Sequence, residues 1–201
     1  MTGSRVIFKD EDLRFLIAVC TPDTSDTDRM FRILREDPEI LDAMISDEKV
    51  FHRLLENPLS LLSVSPALFF AILLVRVAAD LARQPFTFER SHGLTMALFD
   101  GAQVLKLLEN RGLRDYLTDM LVSFVRINSF SFSVRVRPGL WRRVRFSDFD
   151  IDSLVRYCSS IDESERFPAY KRIADICLFT LGILSAPPPA DAPSDPLKTP
   201  A

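Results

Sequence analysis

The residue pattern predicts a mainly α-helical protein: a compact bundle of seven to nine helices with one or two short β-hairpins and a Pro/Ala-rich C-terminal tail. Three observations lead there. Apolar residues recur at steps of three and four through most of the first 184 positions. That period gives way to alternation only around residues 86–98 and 130–146. The last seventeen residues hold six prolines, four alanines and no aromatic side chain. Residues 1–184 are therefore expected to form one helical domain and residues 185–201 a disordered tail. At 201 residues, 47% hydrophobic and 26% charged, the chain has ample apolar material for a core.

The first sixty residues read as four short helices with acidic caps. Asp10 can cap a segment that turns Leu13, Leu16 and Ile17 to one side, and Asp26 another with Met30, Ile33 and Leu34 inward. Pro38 opens a third, and Asp47 to Asn57 makes a fourth around Val50, Phe51, Leu54 and Leu55. Ser65 and Pro66 start a helix to about Arg83 whose opening half is apolar on every side, so that half belongs at the centre of the bundle. A hairpin is expected around Ser91, His92 and Gly93. Asp100 then opens a helix ending near Asn110 and Gly112.

The clearest helical stripe is Leu113, Tyr116, Leu117, Met120, Leu121, Phe124 and Asn128, with Asp115, Thr118 and Asp119 on other faces. Helices resume over Asp150–Ser160 and after Phe167, where Ile173, Ile176, Cys177, Thr180, Leu181 and Leu184 read as a buried stripe.

Composition narrows the function classes. The N-terminus lacks the apolar stretch of a secretory signal. The uncharged run from Pro58 to Val75 is broken by Pro66 and leaves about ten uncharged helical residues before Arg76, against roughly 20 needed to cross a bilayer. No membrane insertion is expected. Cys20, Cys158 and Cys177 are widely spaced and odd in number, which reads as reduced core thiols in a cytoplasmic protein. The net charge of −3 is unevenly spread: residues 1–60 carry −5, residues 61–147 carry +6 and residues 148–201 carry −4.

Motifs for catalysis, metals and nucleotides are not evident. His52 and His92 are the two histidines, no cysteine pair has zinc-knuckle spacing, and the six glycines form no phosphate-binding loop. Asp148, Asp150 and Asp152 begin like a calcium loop, but Ser153 replaces the turn glycine and Ser159 the terminal glutamate, so these acids read as helix caps. Arg76, Asp80 and Asp175 interrupt apolar helices and are candidate buried charges. Local pairs, Arg76 with Asp80 and Lys171 or Arg172 with Asp175, would neutralise them.

The segment that stands out is 130–146. Pairing apolar with apolar faces selects a three-residue loop, Arg137 to Gly139, with Val136 opposite Leu140. Arg137 precedes a proline and resists the helical dihedrals such a loop needs. This register gathers Arg135, Arg137, Arg143 and Arg145 around Trp141, a set suited to phosphate oxygens and base stacking. The plainer alternative lays the same ribbon across the chain's own acidic segments.

Together these readings describe an interaction or regulatory module without an evident catalytic motif, and no cofactor or metal is expected. Its first expected partner is a protein. RNA or single-stranded DNA bound by the Arg/Trp hairpin is the second, and a small-molecule or catalytic site at Arg76, Asp80 and Asp175 the third.

Overall fold

The computed structural model describes residues 6–56, 61, 63–84, 86–91, 94–126 and 128–184, without the side chains of 86–91, 94–100, 130, 132, 134–136, 183 and 184. The expected tail, 185–201, and the expected turn at His92 and Gly93 lie outside the described residues. The protein is mainly helical, as its residue pattern predicts. The described residues group into two compact units, one up to Arg126 and one from Asn128 onward.

In the first unit α1 (Asp10–Cys20), α2 (Thr27–Glu36), α3 (Pro38–Ile45), α4 (Glu48–Glu56) and α5 (Pro66–Arg83) follow one another. Leu13, Leu16, Leu34, Leu41, Val50, Leu54, Leu68 and Ile72 meet in one core, so the opening half of α5 lies inside, as the pattern implies. The caps explain the boundaries. Asp26 accepts from Arg29 N, Asp37 from the backbone of Glu39 and Ile40 beside Pro38, and Ser65 Oγ from Leu68 N.

The start of α1 differs from expectation. Lys9 is the N-cap, and Asp10 lies within the first turn, where it forms an ion pair with Arg35. Asp12 is the organising acid. It is fully buried and accepts from Lys9 N at 2.9 Å, Ser65 N at 2.7 Å and Ser65 Oγ at 2.7 Å. One carboxylate thus joins the N-termini of α1 and α5, where both helix dipoles favour negative charge.

β1 (Phe86–Ser91) and β2 (Leu94–Asp100) pair antiparallel and lead into α6 (Gly101–Leu108) and α7 (Arg111–Phe124). α6 ends at Leu108, near Asn110 as expected, and Asn110 N donates back to Leu107 O. The Asn110 side chain caps α7 by accepting from Leu113 N, and Gly112 lies within α7. Of the expected α7 stripe Met120 is buried and Leu113, Tyr116, Leu117, Leu121 and Phe124 are half-buried, while Asn128 falls beyond the helix; Thr118, expected on another face, is buried as well. Thr118 satisfies the packing because it is small and its hydroxyl can bond within the helix.

The second unit contains β3 (Ser129–Arg137), β4 (Leu140–Ser147), α8 (Ile151–Cys158), a 3-10 turn at Glu163–Glu165 and α9 (Phe167–Leu184). Asp150 caps α8 through Ser153 N and Oγ, as its place in the sequence implies. α9 buries Ala169, Asp175 and Ile176 and leaves Cys177, Leu178 and Leu181 exposed. Cys177 is therefore a surface thiol rather than a core one. Cys158 is buried, and burial, helped by Asp47, pushes the half-buried Cys20 thiol up to about 11.

Candidate anionic-partner interface

The hairpin of β3 and β4 is shaped by its turn. Pro138 and Gly139 connect the strands, and Gly139 has φ +80°, the value wanted at the third position of a type II turn with proline at the second. The expected three-residue loop is not formed. Arg137 stays in the strand and pairs with Leu140, consistent with the extended backbone favoured before a proline. A bulge between Arg135 and Arg137 then restores the expected register: Arg135 pairs with Trp141, Ser133 with Arg143, Ser131 with Arg145 and Phe130 with Phe146.

A methyl group at Gly139 would meet nothing within 4 Å, so Gly139→Ala tests the dihedral alone. It is expected to destabilise the hairpin by about 1 kcal/mol. Faster amide hydrogen exchange in β3 and β4, with unchanged exchange in α1–α5, is the measurement that checks this.

The hairpin is anchored at its base. Asn128 N donates to Asp148 Oδ1 at 2.8 Å, Asp148 N returns a bond to Asn128 O at 3.0 Å, and Arg172 Nε on α9 donates to Asp148 O at 2.7 Å. The Phe146 ring is buried and meets Tyr157 of α8 edge-on, with centroids 5.5 Å apart. Packing and hydrogen bonds fix the base, while the outer part of β4 and the turn are exposed.

Cross-strand partners share a face. Ser131, Ser133, Arg135, Trp141, Arg143 and Arg145 therefore line one side by register. The side chain of Arg135 lies outside the described ones. The bulge moves Arg137 to the side of Leu140 and Arg142, a correction to its expected place beside Trp141. Trp141 is 63% exposed, and Arg137, Arg142, Arg143 and Arg145 are exposed as well. Arg145 donates through Nε and Nη2 to Ser129 Oγ at 3.0 and 2.6 Å, which steadies the guanidinium without neutralising it. Among the described residues none of these four arginines forms an ion pair.

The other candidate charges are engaged. Arg76 contacts Glu48 at 2.9 Å and Asp80 at 3.1 Å and lies over the Phe51 ring at 4.8 Å. Arg76 holds the Glu48 carboxyl below its ordinary range, chiefly by its hydrogen bond. Asp80 is exposed, contrary to its expected burial, because the closing half of α5 reaches the surface. Asp175 is buried and paired with Lys171 at 2.8 Å, in the second unit. Among the described residues no group of three or more His, Cys, Asp or Glu is placed to hold a metal ion, and no helix is long and apolar enough to cross a membrane.

Two further charged clusters escaped the sequence reading. Arg111 and Arg114 of α7 reach Asp42 of α3 at 3.2 and 3.6 Å, close to Asp115, whose carboxyl is raised mainly by burial. Lys49, His52 and Arg53 of α4 line an open concavity with Ala18, Val19 and Glu56. The first pairs residues more than sixty positions apart. The second is a helical run of basic side chains indistinguishable from a solvated face.

Comparison with protein families, characterised proteins and solved structures finds no match. The functional reading therefore rests on this geometry.

Proposed function

We propose that the chain is an interaction module that recognises an anionic partner through the β3–β4 ribbon. The observation that carries this reading is the exposed Trp141 on a ribbon whose arginines Arg137, Arg142, Arg143 and Arg145 have no carboxylate partner among the described residues. Exposed tryptophan and arginine are the side chains that most often concentrate binding energy at interfaces. Five arginines and no acid occur between residues 128 and 147, so the ribbon is locally cationic although the chain as a whole is not. The free thiols Cys20 and Cys158 favour a reducing compartment such as the cytoplasm for this module.

Retention of the full chain on immobilised heparin, used as a generic polyanion, tests the proposal. The triple variant Arg137→Ala, Arg143→Ala, Arg145→Ala is expected to elute at markedly lower salt, with affinity reduced at least about tenfold. Elution of the variant with the unaltered protein, both retaining the same circular dichroism spectrum, would remove the ribbon from consideration.

A further inference from the structure

Resting on that reading, we infer that the anionic partner of the ribbon is a single-stranded nucleic acid, with a base stacked on Trp141 and neighbouring phosphates held by Arg143 and Arg145. Alternate residues of β4 share a face, so Trp141, Arg143 and Arg145 stand in a row at intervals of about 7 Å. A partner satisfying the whole row needs a planar apolar surface followed by anionic oxygens along one strand. A single-stranded nucleic acid repeats that combination at every nucleotide.

The rest of the face has matching chemistry. Ser133 and Ser131 are exposed and stand opposite Arg143 and Arg145, adding hydroxyls that can bond phosphate or sugar oxygens. Arg145 is steadied by Ser129, and its remaining N–H groups are available to a phosphate.

Other anions fit less of the row. An acidic peptide supplies carboxylates to Arg143 and Arg145 but no repeated ring for the indole. In a duplex the base faces are covered by their neighbours, so an indole on the ribbon face has edges and phosphates to meet but no base to stack on. Trp141 therefore distinguishes single strands from the alternatives.

The experiment titrates the full chain and its Trp141→Ala variant with fluorescently labelled 12-residue oligothymidylate, and in parallel with an equally long duplex and with polyglutamate, at two salt concentrations. Oligothymidylate is expected to bind most tightly and to quench the tryptophan, the sole one in the chain. With the two phosphates at Arg143 and Arg145 neutralised, a fourfold rise in salt should weaken binding about sevenfold. Trp141→Ala should weaken oligothymidylate binding about tenfold by anisotropy and leave polyglutamate binding unchanged. Polyglutamate or duplex binding as tightly as oligothymidylate, or an unaltered oligothymidylate affinity in Trp141→Ala, would overturn the nucleic-acid inference and leave the anion-binding reading standing. Binding of none of the three at low salt would overturn both.

Discussion

Replacing Asp12 with alanine is expected to destabilise the first unit by about 3 kcal/mol, lowering its thermal midpoint by on the order of 10 °C. The Asp12 carboxylate accepts from Lys9 N, Ser65 N and Ser65 Oγ, and alanine leaves all three donors without this partner. The loss falls short of three full hydrogen bonds because water reaches Lys9 and, in part, Ser65. Ser65→Ala removes one of those donors together with the hydroxyl that caps α5, and should cost about 1–2 kcal/mol. Far-UV circular dichroism is the suitable probe, since the tryptophan lies in the other unit. A change below about 0.5 kcal/mol for Asp12→Ala would mean that the carboxylate does not join α1 to α5 in solution.

Leu68→Ala should cost a similar amount, about 3 kcal/mol, through a different mechanism. Leu68 is fully buried on the first turn of α5, packed in the same core as Leu13, Leu16, Leu54 and Ile72. Truncation removes its transfer free energy and leaves a void that close-packed neighbours fill only partly. Leu181→Ala provides the contrast. It lies on the exposed side of α9 and should change stability by less than about 0.5 kcal/mol. Chemical denaturation of both variants checks this, and equal losses would contradict the burial described for the two leucines.

Leu68 and Leu181 also mark how far the sequence could be read. Where one helix face is polar, periodicity assigns the buried face. Where nearly every position is apolar, as in α9, period 3.6 fits several faces and geometry chooses Ala169, Asp175 and Ile176. Caps were legible when donor and acceptor lie within one turn: Asp26, Ser65 and Asp150 act as their neighbours imply. Asp12 was not legible, because its decisive partner, Ser65, lies 53 positions away.

The ribbon was legible as alternating strands around Pro138 and Gly139, including the register over most of its length. Its tip was not. Apolar pairing favoured one loop, the proline favoured another, and the bulge beside Val136 reconciles them by taking up one residue. The consequence is functional: Arg137 leaves the face of Trp141 while Arg143 and Arg145 remain on it.

The most direct test of the ribbon as the anion-binding element is to record the NMR signals of the Trp141 indole N–H and the arginine Nε–H groups while adding a heparin oligosaccharide to the full chain. The account predicts perturbation concentrated at Trp141, Arg143 and Arg145, with Arg137 and Arg142 at the tip responding next. Perturbation at Arg53 and the Lys49–Arg53 stretch of α4, with the Trp141 indole and the ribbon arginines unmoved, would contradict it and place anion binding on the first unit instead.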